Sequence, residues 1–272
     1  MAETLIALAV TLAVITLLMR LLEPRMAFYP MRGVQATPAS AGLTFIDVRI
    51  PTDDGETLHG WWVSHPEPRA QVVFFHGNGG NLSLWLDVIV ELRRHGLSVL
   101  AIDYRGYGAS TGTPSEQGLY RDADASVRHF NSQLQRAGTP VVFWGRSIGS
   151  PVAAYAASRV SPDALVLESP MPDVRSMVRS NPVLWVMSFL SSYRFPTTRF
   201  LEGYEGPLLV VHGDADSIVP FSAGRSVFDA ARTTRKTFVT IPGADHNDLH
   251  IVNPSLYWRA ADELLRTLPQ RR

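Results

Sequence analysis

From Ala70 onward, short apolar runs alternate with amphipathic or Ala-rich stretches, and this alternation leaves few possible folds. Ala70–Phe75 (AQVVFF), Ser98–Ile102, Pro140–Trp144 (PVVFW), Ala164–Leu167, Leu208–Val211 and Thr237–Ile241 read as buried strands. Between them, Leu82–Arg94, Glu116–Arg136 and Ser147–Arg159 read as helices, and a last helix spans Ser255–Leu268. In the longest of these, Leu119, Ala123, Val127, Phe130 and Leu134 recur at spacings of three and four and so share a face. Parallel strands need crossover connections, and the crossover helices cover both faces of the sheet. Ahead of this pattern, Leu43–Ile50 and Thr57–Val63 flank the turn Asp53-Asp54-Gly55 and predict an antiparallel hairpin. The expected architecture is therefore α/β, a mostly parallel eight-stranded sheet with helices on both faces. Pro170–Glu205 interrupts the alternation and, with Met177, Trp185, Met187 and Phe189, reads as a small helical cap over about 170–205. Its residues either pack on the domain or line a pocket.

The N-terminus follows a different rule. Thr4 to Met19 is sixteen residues without a charge. As a helix this covers about 24 Å, and Leu21 and Leu22 extend it to about 28 Å if Arg20 snorkels, near the roughly 30 Å of a bilayer's hydrocarbon core. A cleaved signal peptide calls for a basic start and a nearby small-residue cleavage site. The chain begins Met1-Ala2-Glu3, and the nearest such site, Ala39-Ser40-Ala41, is distant. The expected division is an anchor at 1–23 ended by Pro24 and Pro30, a linker at 24–42 whose stretch GVQATPASAG is small and polar, and a catalytic domain at 43–272 that folds when expressed from residue 33. Arg20, Arg25 and Arg32 follow the apolar run and Glu3 precedes it, which places the following domain on the cytoplasmic side. Lys+Arg and Asp+Glu both number 25, so the net charge is zero and no nucleic-acid footprint is visible. There is no cysteine, which excludes disulfides, thiolate metal sites and a thiol nucleophile. Lys236 is the only lysine, a bias toward arginine that suggests a GC-rich, bacterial coding sequence.

The chemistry-bearing motifs fall at strand carboxyl ends, where parallel sheets place their ligands. Gly145-Arg146-Ser147-Ile148-Gly149 lies between a strand and a helix. A serine there must occupy a sharp, strained turn with small neighbours two residues away on each side, which makes Ser147 a candidate nucleophile. His212-Gly213-Asp214-Ala215-Asp216 follows the strand LLVV, and Gly243-Ala244-Asp245-His246 follows TFVTI. A serine hydroxyl needs an adjacent base, and an imidazole base needs a carboxylate to fix its tautomer. His246 is the candidate base. Asp214 and Asp216 both qualify as its partner, and Asp216, deeper in the loop, is preferred. Asp214 then serves the turn. A metal reading of this set lacks the tight ligand spacing of zinc sites, so neither metal nor cofactor is expected. The loop His76-Gly77-Asn78-Gly79-Gly80-Asn81 lets backbone approach a substrate, and the N–H groups of Asn78 and Ile148 are the expected oxyanion donors. His76 reads as structural. In Asp103-Tyr104-Arg105-Gly106-Tyr107-Gly108, Asp103 and Arg105 either bind substrate or brace the oxyanion loop. Asp248 is a candidate for orienting the His246 loop, and Trp61, Trp62 and Trp144 read as core.

Together, HGNGGN, DYRGYGAS, GRSIG, HGDADSIVP and GADHND resemble the motifs of membrane-anchored α/β-hydrolase-domain proteins of the bud-emergence type, and the wider serine-aminopeptidase-like hydrolases. The resemblance runs from about Phe28 to the C-terminus. It implies the α/β-hydrolase fold, a Ser147–Asp216–His246 triad, oxyanion donors at Asn78 and Ile148, and an N-terminal apolar segment. The leading expectation is hydrolysis of an ester or thioester in a small-molecule or lipid-like acyl substrate, with an acyl-serine intermediate. The alternatives are a peptidase of the aminopeptidase-like type and a non-catalytic membrane-tethered scaffold.

Overall fold

The computed structural model describes residues 1–179 and 182–269. Its main sheet has eight strands: β1 (Ile46–Pro51), β2 (Thr57–Val63), β3 (Ala70–Phe75), β4 (Leu97–Ile102), β5 (Val141–Arg146), β6 (Ala164–Glu168), β7 (Leu208–Gly213) and β8 (Lys236–Ile241). They lie in the order β1-β2-β4-β3-β5-β6-β7-β8. β2 is antiparallel to β1 and β4, and every other pair is parallel, as the alternation required. The order reverses beside β3, so the loops leaving β3 and β5 open a crevice between them.

Each strand's period of two feeds two cores. Val73, Phe75, Leu100 and Ile102 face one side, with Leu119 and Ala123 of α3 (Glu116–His129) and Val152 and Ala156 of α4 (Gly149–Arg159). Val72, Phe74, Val99 and Ala101 face the other, with Val88 and Leu92 of α2 (Leu86–Arg94) and with Trp258 and Leu265 near the C-terminus. The expected ends shift in two places. Residues 82–85 form turns before α2 begins, tied by Leu84 N–H to Asn81 O and Trp85 N–H to Leu82 O. The long helix is α-helical only to His129, and Phe130–Leu134 widens into a π-turn that still buries Phe130.

Helix α1 runs Ala2–Ala27, with a mean hydropathy of 2.5 over its most apolar stretch, none of it buried. By length and composition it is long enough to cross a membrane. Pro24 does not end it. A proline removes its own N–H and crowds the carbonyl one turn back, but its own carbonyl still accepts, and here Phe28 N–H closes the last turn onto Pro24 O at 3.0 Å. Residues 24–42, expected as a linker, are instead laid against the domain. Phe28 is 2% exposed and packs edge-on to Tyr193 and Phe195. Tyr29–Pro30 pairs in parallel with Gly79–Gly80, and Arg32 donates to Ser110 O and Gly112 O.

The segment after β6 holds three short helices, α5 (Val174–Met177), α6 (Pro182–Met187) and α7 (Thr197–Phe200). Its second half inserts Tyr193, Phe195, Leu201 and Tyr204 into the core. Glu116 of α3 accepts the N–H groups of Arg194 and Phe195 and so holds Phe195 at φ +46°. On α6, Val183, Trp185 and Val186 are exposed. The cap is also tied to α1. The Glu23 carboxylate, buried on an otherwise exposed helix, accepts the N–H groups of Ser192 (3.0 Å) and Tyr193 (3.4 Å) and the hydroxyls of Ser191 and Ser192.

Candidate active site

Ser147 sits at φ +54°, one of three described non-glycine residues with positive φ. The turn is tight enough to dictate its neighbours. A Cβ on Gly145 would lie 2.3 Å from Gly149 O, and one on Gly149 would lie 2.0 Å from Phe75 O. The turn is pinned by Ser147 N–H to Glu168 O (2.9 Å), across to β6.

The loops after β7 and β8 bring Asp216 and His246 to this serine. His246 Nε2 is 2.9 Å from Ser147 Oγ, and His246 Nδ1 is 2.9 and 3.1 Å from the two Asp216 oxygens. The Asp216 side chain is fully buried. Burial alone would raise its pKa, but hydrogen bonds from His212, His246 and the Val219 N–H outweigh that and hold it well below the ordinary aspartate range. An ionised carboxylate only accepts, so the imidazole proton resides on Nδ1 and Nε2 is free to accept from Ser147 Oγ–H. Asp214 is exposed and accepts the Gly243 N–H at 2.6 Å, a turn contact, while the His246 Nδ1 hydrogen bonds go to Asp216.

The loop after β3 that carries Asn78 is held from several directions. Asn78 donates its side-chain N–H to Ala27 O (2.7 Å), and its two oxygens accept the Tyr107 hydroxyl. Gly77 is obligatory, because a Cβ there would meet the Trp85 ring at 2.7 Å. Asn78 and Ile148 flank Ser147 on the wall of a shared cavity. His76 is fully buried, which lowers its pKa and keeps it neutral. Its Nδ1 donates to Gly77 O, and it has no hydrogen bond to Ser147 or His246. Asp103 braces the far end of this loop by accepting the Leu82 N–H. Arg105 does not. It pairs instead with Asp54 and Asp122, tying the β1–β2 turn to α3.

Residues 66–206 match the family described as serine aminopeptidase, S33. The uncharacterized protein Rv2307c of Mycobacterium tuberculosis is 32% identical over 233 residues, covering 85% of this chain and 83% of that one. The chain belongs to the serine aminopeptidase S33 family of α/β-hydrolases. The lysophosphatidylserine lipase ABHD12 of Mus musculus is 32% identical over 187 residues, 61% of this chain and 46% of the lipase. Among solved structures, the Pyrococcus furiosus esterase Pf2001 shares the fold, with a TM-score of 0.73 at 22% identity over 89% of this chain and 98% of that one. The chain is thus a hydrolase on an α/β-hydrolase scaffold.

Several residues that hold the site carried no sequence signal. Arg146 is 1% exposed; its guanidinium lies over the Trp85 ring, 3.6 Å from Glu168, and donates to His246 O at 3.3 Å. It therefore ties the serine turn to the histidine loop. Glu168 in turn accepts from Trp144 Nε1 and the Tyr257 hydroxyl. Asp245 accepts the N–H groups of Ser217 and His246, both at 2.7 Å, and so clamps the Asp216 loop to the His246 loop. Asp248, expected to orient that loop, accepts the Asp245 N–H at 2.7 Å. Among the described residues no group of three or more His, Cys, Asp or Glu is placed to hold a metal ion.

Two cavities meet at Ser147. One, about 570 Å³, is lined by Trp85, Asp87, Arg146, His246 and His250. The other, about 370 Å³, is walled by Ile148, Met171, Val174, Met187 and Phe195. The first offers charged and polar groups and the second is largely apolar.

Proposed function

We propose that this chain hydrolyses an ester or thioester acyl bond, with Ser147 as nucleophile, His246 as base and Asp216 as the group that orients and stabilises the imidazole. The single observation that carries this reading is the imidazole placed 2.9 Å from both Ser147 Oγ and an Asp216 oxygen. His246 Nε2 takes the Ser147 proton as Oγ attacks the carbonyl carbon. The backbone N–H groups of Asn78 and Ile148 stabilise the oxyanion. As the tetrahedral intermediate collapses, the imidazolium gives its proton to the leaving oxygen or sulfur, and Ser147 is left acylated. Water then attacks with His246 again as base, releasing the acid and restoring the hydroxyl.

The apolar cavity favours an acyl chain on the carbonyl side, and a lipid-like substrate accords with the lipase activity named for the mouse relative. In this reading α1 anchors the chain in a membrane, residues 43–272 form the catalytic domain with the cap at about 170–205, and Arg20, Arg25 and Arg32 place that domain on the cytoplasmic side. The test is Ser147→Ala. The variant should stay folded, lose labelling by a fluorophosphonate, and lose kcat on an activated acyl ester by on the order of 10⁴-fold. Near-normal turnover by the pure variant would refute the assignment. Preferential cleavage of aminoacyl amides over acyl esters would move it to the peptidase reading.

A further inference from the structure

The apolar cavity at Ser147 has an unusual wall. Met19, Glu23, Met26 and Ala27 of α1 line it; Glu23 stands four residues after Met19, three before Met26 and four before Ala27, so they share one face of the helix. Opposite them stand Leu184 and Met187 of α6. Met26 and Leu184 line the cavity and yet are 54% and 44% exposed, so the mouth lies between α1 and α6. The Glu23 carboxylate in this wall is turned toward the cap, where it accepts from Ser191, Ser192 and Tyr193. The surface beyond the mouth is apolar on both sides. Leu22 and Leu18, four and eight residues before Met26, continue along α1, and Val183 and Val186, 67% and 61% exposed, continue along α6. Around the cap, Arg175, Arg179 and Arg199 share a cavity with Trp185, the mix of cations and an indole suited to the headgroup level of a membrane.

Resting on the reading of Ser147 as nucleophile, we propose that the substrate is a long-chain acyl ester resident in the same bilayer as α1, that its acyl chain enters laterally between α1 and α6, and that Met26 sets the chain length accepted. The polar leaving group then occupies the other cavity at Ser147, the larger one beside Arg146 and His250. The membrane helix is in this arrangement part of the substrate site as well as a tether.

The experiment uses the full chain reconstituted in phosphatidylcholine vesicles, with monoacylglycerols from acetyl to stearoyl as substrates. Met26→Trp should lower the ratio of palmitoyl to acetyl kcat/KM at least tenfold, and Met26→Ala should move the optimum to longer chains. Ratios equal to wild type in both variants would overturn the role of α1. A slowly exchanging diacylglycerol should be cleaved at least tenfold faster when it is in the enzyme's own vesicles than when added in enzyme-free ones, and equal rates would overturn lateral entry. Fluorophosphonate labelling separates the two levels of the argument. A labelled, active enzyme with unchanged ratios removes this inference alone, whereas an unlabelled wild-type enzyme without turnover removes the proposed chemistry and this inference together.

Discussion

Asp216 and Asp214 are two residues apart, and the structure gives them different surroundings. Asp216 receives the His246 Nδ1–H together with the N–H groups of Ile218 and Val219, whereas Asp214 receives only the Gly243 N–H. Asp216→Asn should therefore reduce kcat on the order of 10⁴-fold, since an amide can stabilise the wrong imidazole tautomer, and Asp214→Asn should cost no more than a few-fold. Steady-state kinetics of both variants decide between them. The lowered pKa of Asp216 also fixes a sign for stability. A carboxyl depressed in the folded state contributes stability that is present above its unfolded pKa, about 4, and lost as pH falls through the folded value. Wild type should exceed the Asn variant in denaturant stability by more at pH 7 than at pH 3. At this scale Ser147, Asp216 and His246 were legible because their motifs sit at strand ends, where local spacing implies position. Arg146 and Asp245 were not. Each sits beside the residue its motif points to, and its role depends on groups brought close only by the fold.

At the scale of elements, the alternation of strands and helices was legible because burial on both faces imposes it on local composition. What escaped was the stretch between α1 and β1. Small polar residues read as a free linker, yet Phe28 fills a slot between Tyr193 and Phe195, residues more than 160 positions away. No local pattern encodes such a contact. Phe28→Ala in the full chain should cost about 3–5 kcal/mol, the usual range for truncating a buried phenylalanine, and lower Tm by roughly 10 °C. A chain begun at residue 33 would lack Phe28 altogether, as well as the Ala27 carbonyl that holds Asn78. It is expected to be less stable and less active than the full chain. Thermal melts of the Phe28 variant check this, and a change under 1 kcal/mol would show that the slot is not filled in solution.

For the molecule as a whole, the arginines that follow the apolar run predict a catalytic domain on the cytoplasmic side. In sealed membranes a C-terminal tag should resist protease added from the outer face and become sensitive after permeabilisation. Digestion before permeabilisation would reverse the topology. The count of charges predicts an orientation, but no local pattern predicts the geometry of the join between helix and domain, because Glu23 finds its partners 168 to 170 residues later. That join has a mechanical consequence. A helix of 26 residues is about 39 Å long and a hydrocarbon core is about 30 Å, so roughly six residues are surplus to the span. The surplus at the C-terminal end, from about Leu22, holds the very residues clamped to the cap. A helix free at its end relieves hydrophobic mismatch by tilting. With α1 in a bilayer as proposed, a tilt of the helix would carry the cap with it, and the thickness of that bilayer would act as a force on the mouth of the apolar cavity.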